Sequence, residues 1–155
     1  MTPLGTRFLA CAALALAASC RSAGHLPVAR EFAPARDAFG DVQALATLLP
    51  ETGAAPWRVL VGGGDQMDAL LVAREAEAPS VTLVDLSVVD ALQRDAVEAR
   101  ALEAALDSEG PLLLDEDGAN ARVLRGTSRS ISLVVLNADR SIGAISPVLV
   151  EEDAP

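Results

Sequence analysis

The chain has 155 residues, 51% of them hydrophobic, enough for one globular domain and short for two. Its 12 basic and 22 acidic residues give a net charge of −10, which disfavours a nucleic-acid partner held by phosphate neutralisation. One histidine, no lysine, no tyrosine and two cysteines exclude most metal sites, lysine Schiff bases and a histidine-dependent triad in the body of a domain.

The N-terminal segment opens with Arg7 as its one charge, and Phe8 to Ala18 form an unbroken apolar run of 11 residues. As a helix this run rises only about 16 Å against a hydrocarbon core of about 30 Å, so it reads as a signal peptide over residues 1–19 and not as a membrane span. The sequence Leu16-Ala17-Ala18-Ser19-Cys20 resembles a bacterial lipoprotein signal. That resemblance implies acylation of Cys20, anchoring in a lipid bilayer, and residence on the periplasmic side of a bacterial membrane. Ala17 and Ser19 equally satisfy a general signal peptidase, which would leave Cys20 as an isolated thiol. Cys11 falls in the removed segment, so the mature chain keeps no cysteine pair and no dithiol couple. Residues 20–38, rich in Ser, Gly, Pro and Ala, read as a linker that contains His25.

The domain is expected over residues 39–150. Val42, Leu45, Leu48 and Leu49 at helical spacing predict a first short helix, closed by Pro50 and Gly53. Trp57 to Val61 predicts a strand that stops at Gly62-Gly63-Gly64. Asp65 is the expected N-cap of a helix to about Glu77, with Met67, Leu70, Leu71 and Ala73 on its inner face and Pro79 after it. Val81 to Leu86 predicts a buried strand. Val89, Leu92, Ala96, Ala99, Leu102 and Leu106 predict the core-facing stripe of a longer helix to about Asp107.

Strand, helix and strand in this order imply a right-handed crossover and parallel pairing, hence an α/β fold. Leu112 to Leu114 predicts a short strand, Asp115 to Gly118 a solvated turn and Ala119 to Arg125 a short helix. Ile131 to Leu136 and Ser141 to Ile145 predict an antiparallel hairpin, followed by the acidic tail 151–155.

From Trp57 to Ile145 the chain resembles exported thioredoxin-like proteins of the redoxin and thiol-disulfide type. The resemblance rests on Leu113-Leu114-Asp115-Glu116-Asp117-Gly118 with Ala121-Arg122-Val123-Leu124, and on Leu133 to Asp139. It implies a three-layer sandwich, a parallel strand-helix-strand unit followed by an antiparallel hairpin. The family carries Cys-x-x-Cys at the start of the helix after the first strand, where the helix N-terminus stabilises a thiolate. Here that segment reads Gly62-Gly63-Gly64-Asp65-Gln66-Met67-Asp68, and the family's cis-proline would fall near Ser130-Ile131. Oxidoreductase activity is therefore not expected. A groove between Gly62, Gly63, Gly64, Asp65 and Asp68 on one side and Ser130 and Ile131 on the other is the expected contact site for a peptide or protein partner at the cell envelope, with no cofactor.

A rival reading uses the same strand. Arg58 to Asp65 followed by Val81 to Asp85 resembles the cofactor segment of class I methyltransferases, including the spermidine-synthase type. It implies an S-adenosyl-type nucleoside cofactor on Gly62, Gly63, Gly64, Asp65 and Asp85, with Asp85 accepting from ribose hydroxyls. The dinucleotide fingerprint is not met, since its third glycine would fall at Met67.

Other candidates are weaker. Asp115-Glu116-Asp117-Gly118 suggests a calcium loop, but the required oxygen ligands would fall at Ala119 and Gly126. Arg122, Arg125 and Arg129 could hold an anion, although in so acidic a chain balancing nearby carboxylates is the plainer role. Asp65 and Asp68 are expected caps before they are general bases, and Trp57 and Met67 are expected core. No serine lies in a Gly-x-Ser-x-Gly elbow.

Overall fold

A computed structural model describes residues 32–45, 56–107, 110–139 and 141–150. The expected signal peptide, Cys20, His25 and the acidic tail lie outside these residues. One seven-stranded sheet organises the fold, built from β1 (Pro34–Asp37), β2 (Val42–Ala44), β3 (Trp57–Gly63), β4 (Val81–Asp85), β5 (Leu112–Asp115), β6 (Ser132–Leu136) and β7 (Ile142–Pro147). The spatial order is β2-β1-β5-β4-β3-β6-β7. Among the described residues three α-helices of full length accompany it: α1 (Met67–Glu77), α2 (Ala91–Asp107) and α3 (Ala119–Arg125).

The strands β3, β4 and β5 are parallel, with Val61 opposite Leu83 and Leu83 opposite Leu113. The hairpin then reverses direction: Val59 pairs antiparallel with Val134, and Val134 antiparallel with Ile145. This is the expected thioredoxin-like architecture, and a nucleoside-binding fold would instead require β6 to run parallel to β3.

Period-two alternation splits the central strands between two cores. Val59, Val61, Val81, Leu83 and Leu113 face one layer, where Ala121 and Leu124 of α3 cover them. Leu60, Val84, Leu112 and Leu114 face the other, where Met67, Leu70 and Ala73 of α1 and Val97 and Ala101 of α2 pack. The three layers follow from that division.

Three expectations are corrected. Pro34–Asp37, inside the expected linker, is a strand because Arg36 and Asp37 pair with Leu114 and Leu113 of β5 while Pro34, Ala35 and Arg36 pair with β2 on its other side. Val42–Ala44, expected as the start of a helix, pairs antiparallel with β1; residues 46–55, the rest of that expected helix, lie outside the described residues. The inner face of α2 is also not the expected one. Val97 and Ala101 are buried, whereas Leu92 is 93% and Leu106 70% exposed. The helix bears apolar residues on two opposite sides, and the side with the smaller residues is the one that fits against α1 and the turn Gly64–Gln66.

Candidate functional site

The carboxyl ends of the three parallel strands lie in one row, since Gly63 is opposite Asp85 and Asp85 opposite Asp115. Ligand sites of open α/β sheets form at such strand ends. Here the row is closed by the protein's own side chains. A Cβ on Gly62 would lie 2.6 Å from Leu70 Cδ1, one on Gly63 2.9 Å from Val88 Cγ2, and one on Gly64 2.5 Å from Val89 Cγ2. The glycines make room for the packing of α1, of the Asp65 side chain and of the loop after β4. β3 accordingly runs through Gly62 and Gly63, two residues beyond its expected end.

Asp65 does not cap α1. Gly64–Gln66 form a single 3₁₀ turn, Gln66 holds the N-cap position, and no side chain caps it. Asp65 and Gln66 are exposed at the rim, and Met67 is buried as expected. Asp68 turns away to meet Arg100 of α2 at 2.7 Å, so it leaves the expected groove.

Behind the rim lies a buried charged cluster. Asp85 Oδ1 accepts from the Ser87 amide at 2.9 Å and the Ser87 hydroxyl at 2.6 Å. Asp85 Oδ2 is 3.7 Å from Arg125 Nη2, the two side chains being 9% and 3% exposed. Buried at 6% exposure and turned onto Ser87 and Arg125, Asp85 does not offer the accessible carboxylate that ribose recognition needs, and the methyltransferase reading is set aside. Asp115 Oδ2 accepts from the Ala121 amide at 2.9 Å. Burial pushes the Asp115 carboxyl up to about 6; the Ala121 amide opposes this, while the charges of Asp85 and Asp117 add to it. Asp115, expected in a solvated turn, is thus the buried last residue of β5. Gly118, at φ +70°, completes the enclosure, because a Cβ there would lie 2.6 Å from Asp85 Oδ1.

Arg125 ties this cluster to the opposite side of the rim. Its Nη1 donates to the Ser130 carbonyl at 2.6 Å, and Ser130 O also accepts from the Ser132 hydroxyl at 3.0 Å. Burial lowers the Arg125 pKa, and Asp85 and Asp65 counter that shift. Ser130 is exposed, while Ile131 is 6% exposed and belongs to the same core cluster as Met67 and Leu70. The structure therefore brings Gly62, Gly63, Gly64 and Asp85 together, and Arg125 links them to Ser130. Of the other arginines, Arg122 is exposed and donates to the Asp117 carbonyl, and Arg129 is exposed.

Asp115 and Arg125 were not expected as parts of one site. Their signal is faint but present: Asp85 and Asp115 each end an apolar β-run, which places two acids at equivalent strand ends. Among the described residues no group of three or more His, Cys, Asp or Glu is arranged to hold a metal ion, and no helix is long and apolar enough to cross a membrane. The accessible rim, Asp65, Gln66 and Ser130, offers hydrogen-bonding groups and carries no thiol.

No family model matches the chain, and no curated protein matches it. Solved structures do. The pneumococcal exposed lipoprotein thioredoxin Etrx1 from Streptococcus pneumoniae superposes with a TM-score of 0.52 at 11% identity, covering 79% of this chain and 93% of that one. MTB dsbF, solved in mixed oxidized and reduced forms, gives 0.51 at 10% identity, covering 81% and 90%. The fold is thioredoxin-like.

Proposed function

We propose that this chain is an exported, lipid-anchored protein whose thioredoxin-like domain performs no thiol chemistry and binds a protein or peptide at the cell envelope. One observation carries the reading. The strand-to-helix segment that holds the thiols in proteins of this resemblance is Gly62 to Asp68, and it contains no cysteine. The chain's two cysteines are Cys11 and Cys20, one inside the apolar N-terminal run and one two residues beyond it. What the segment retains is an exposed polar rim over a buried, internally hydrogen-bonded cluster, which supports a binding role.

Three measurements test this. Reduction of a disulfide substrate by the full chain, in the presence of dithiothreitol, is expected to equal the uncatalysed rate; turnover overturns the non-redox reading. Cys20→Ala is expected to move the protein from the membrane fraction to the soluble fraction, and retention on the membrane refutes anchoring at that residue. A photo-crosslinker at Gln66 is expected to form a discrete adduct in cells that Ser130→Trp abolishes. An adduct indifferent to Ser130→Trp, or no adduct, refutes binding across this rim.

A further inference from the structure

Helix α2 turns an apolar face away from the protein. Leu92, Leu102 and Leu106 are 93%, 38% and 70% exposed, and Ala96 and Ala99 lie between them on the same side. The ridge from residue 92 to 106 is about 21 Å long. Acids accompany it: Asp95, Glu103 and Asp107 are exposed, and no cation among the described residues pairs with them. The helix's two arginines are already committed, Arg94 to Glu98 and Glu116, and Arg100 to Asp68.

Alongside the ridge, between α1 and α2, opens a cavity of about 750 Å³ whose wall includes Glu75, Glu103 and Asp107. Arg74 and Arg100 also line it, but Arg74 donates to the carbonyls of Ala104 and Gly110, and Arg100 is held by Asp68. The three carboxylates are the charges left unmatched.

The geometry points to a docking site on the outer face of α2 for a basic amphipathic helix of a partner protein, its leucines on Leu92, Leu102 and Leu106 and its cations toward Glu75, Glu103 and Asp107. Apolar anchors set among unpaired acids are complementary to apolar residues flanked by lysine or arginine. The same acids oppose the other occupants. An anionic bilayer repels them, and a second copy would bring like charges together across a two-fold axis. This surface is separate from the Gly62–Ser130 rim, so neither proposal depends on the other.

The test uses the full chain and a synthetic 14-residue leucine–lysine helix, followed by fluorescence anisotropy. A peptide of the same composition, with leucines distributed all round the helix, is the control. The amphipathic peptide is expected to bind at least about tenfold more tightly than the control. Leu92→Glu with Leu106→Glu is expected to abolish that preference without lowering the melting temperature, since both side chains face water. Glu103→Lys with Asp107→Lys is expected to transfer the preference to a leucine–glutamate helix. Equal binding of both peptides, or a preference that survives either pair of substitutions, overturns the proposal. So does a wild-type dimer that the leucine substitutions dissociate, vesicle binding that they remove, or a fall in their melting temperature, each of which assigns the face to another occupant.

Discussion

Replacing Asp115 by asparagine isolates the energetic consequence of the buried cluster. Asp115 is 1% exposed, and its carboxyl is pushed up to about 6 from an ordinary 3.8. Between those values the folded protein holds a proton that the unfolded chain releases, so unfolding free energy falls as pH rises through this window. Below it both states are protonated; above it both are ionised and the folded state bears the full penalty. The gap corresponds to about 3 kcal/mol. Asparagine keeps an oxygen for the Ala121 amide and does not titrate. The variant is therefore expected to gain stability relative to wild type by about 2–3 kcal/mol between about pH 4 and about pH 7.5. Urea denaturation followed by far-ultraviolet circular dichroism at several pH values measures the difference. A stability gap that is constant with pH would show that Asp115 titrates alike in both states and would refute the reasoning.

Further substitutions probe the same structure. Arg125→Met leaves Asp85 buried without its counter-charge and removes the bond to the Ser130 carbonyl, so urea denaturation should show a loss of about 3–5 kcal/mol. Gly64→Ala drives a methyl against Val89 and Val97, and calorimetry should register a cost of about 1–3 kcal/mol. Leu124→Ala, fully buried under the sheet, should cost about 2–5 kcal/mol in the same assay. Asp65→Asn, on the exposed rim, should stay within about 0.5 kcal/mol of wild type, and a larger change would mean that the rim supports the fold.

The central sheet was legible because its strands are apolar runs cut by glycine and proline. Trp57 to Val61, Val81 to Leu86 and Ile131 to Leu136 each announce themselves locally, and so does the hairpin. β1 and β2 do not: Arg36, Asp37 and Gln43 form no alternating pattern, and β1 is a strand because β5 supplies its partner far along the chain, with β2 pairing in turn on β1. The face of α2 was misjudged for a different reason. Periodicity finds a stripe but cannot choose between two, and Leu92 and Leu106 outweigh Val97 and Ala101 in hydrophobicity while losing the contest for space. At the candidate site the missing thiols and the glycine run were readable, whereas the burial of Asp115 was not. A carboxylate at a strand end reads as a turn residue until the enclosing Gly118, Ala121 and Arg125 are placed around it.

The position of β1 in the sheet bears on the order in which the domain is assembled. Its partner in β5 lies 78 residues further along, as the pairing of Arg36 with Leu114 shows, so β1 and β2 emerge from the ribosome long before β5 exists. The unit from β3 to β5 closes largely through nearer connections, and until β1 arrives it presents β5 as an open edge. Docking of the β1–β2 hairpin is thus expected to be a late, long-range step that also seals the nascent sheet against association with other chains. In an amide-exchange experiment during refolding, β1 should gain protection after β3 and β4, making the first of the described strands to be synthesised one of the last to become native.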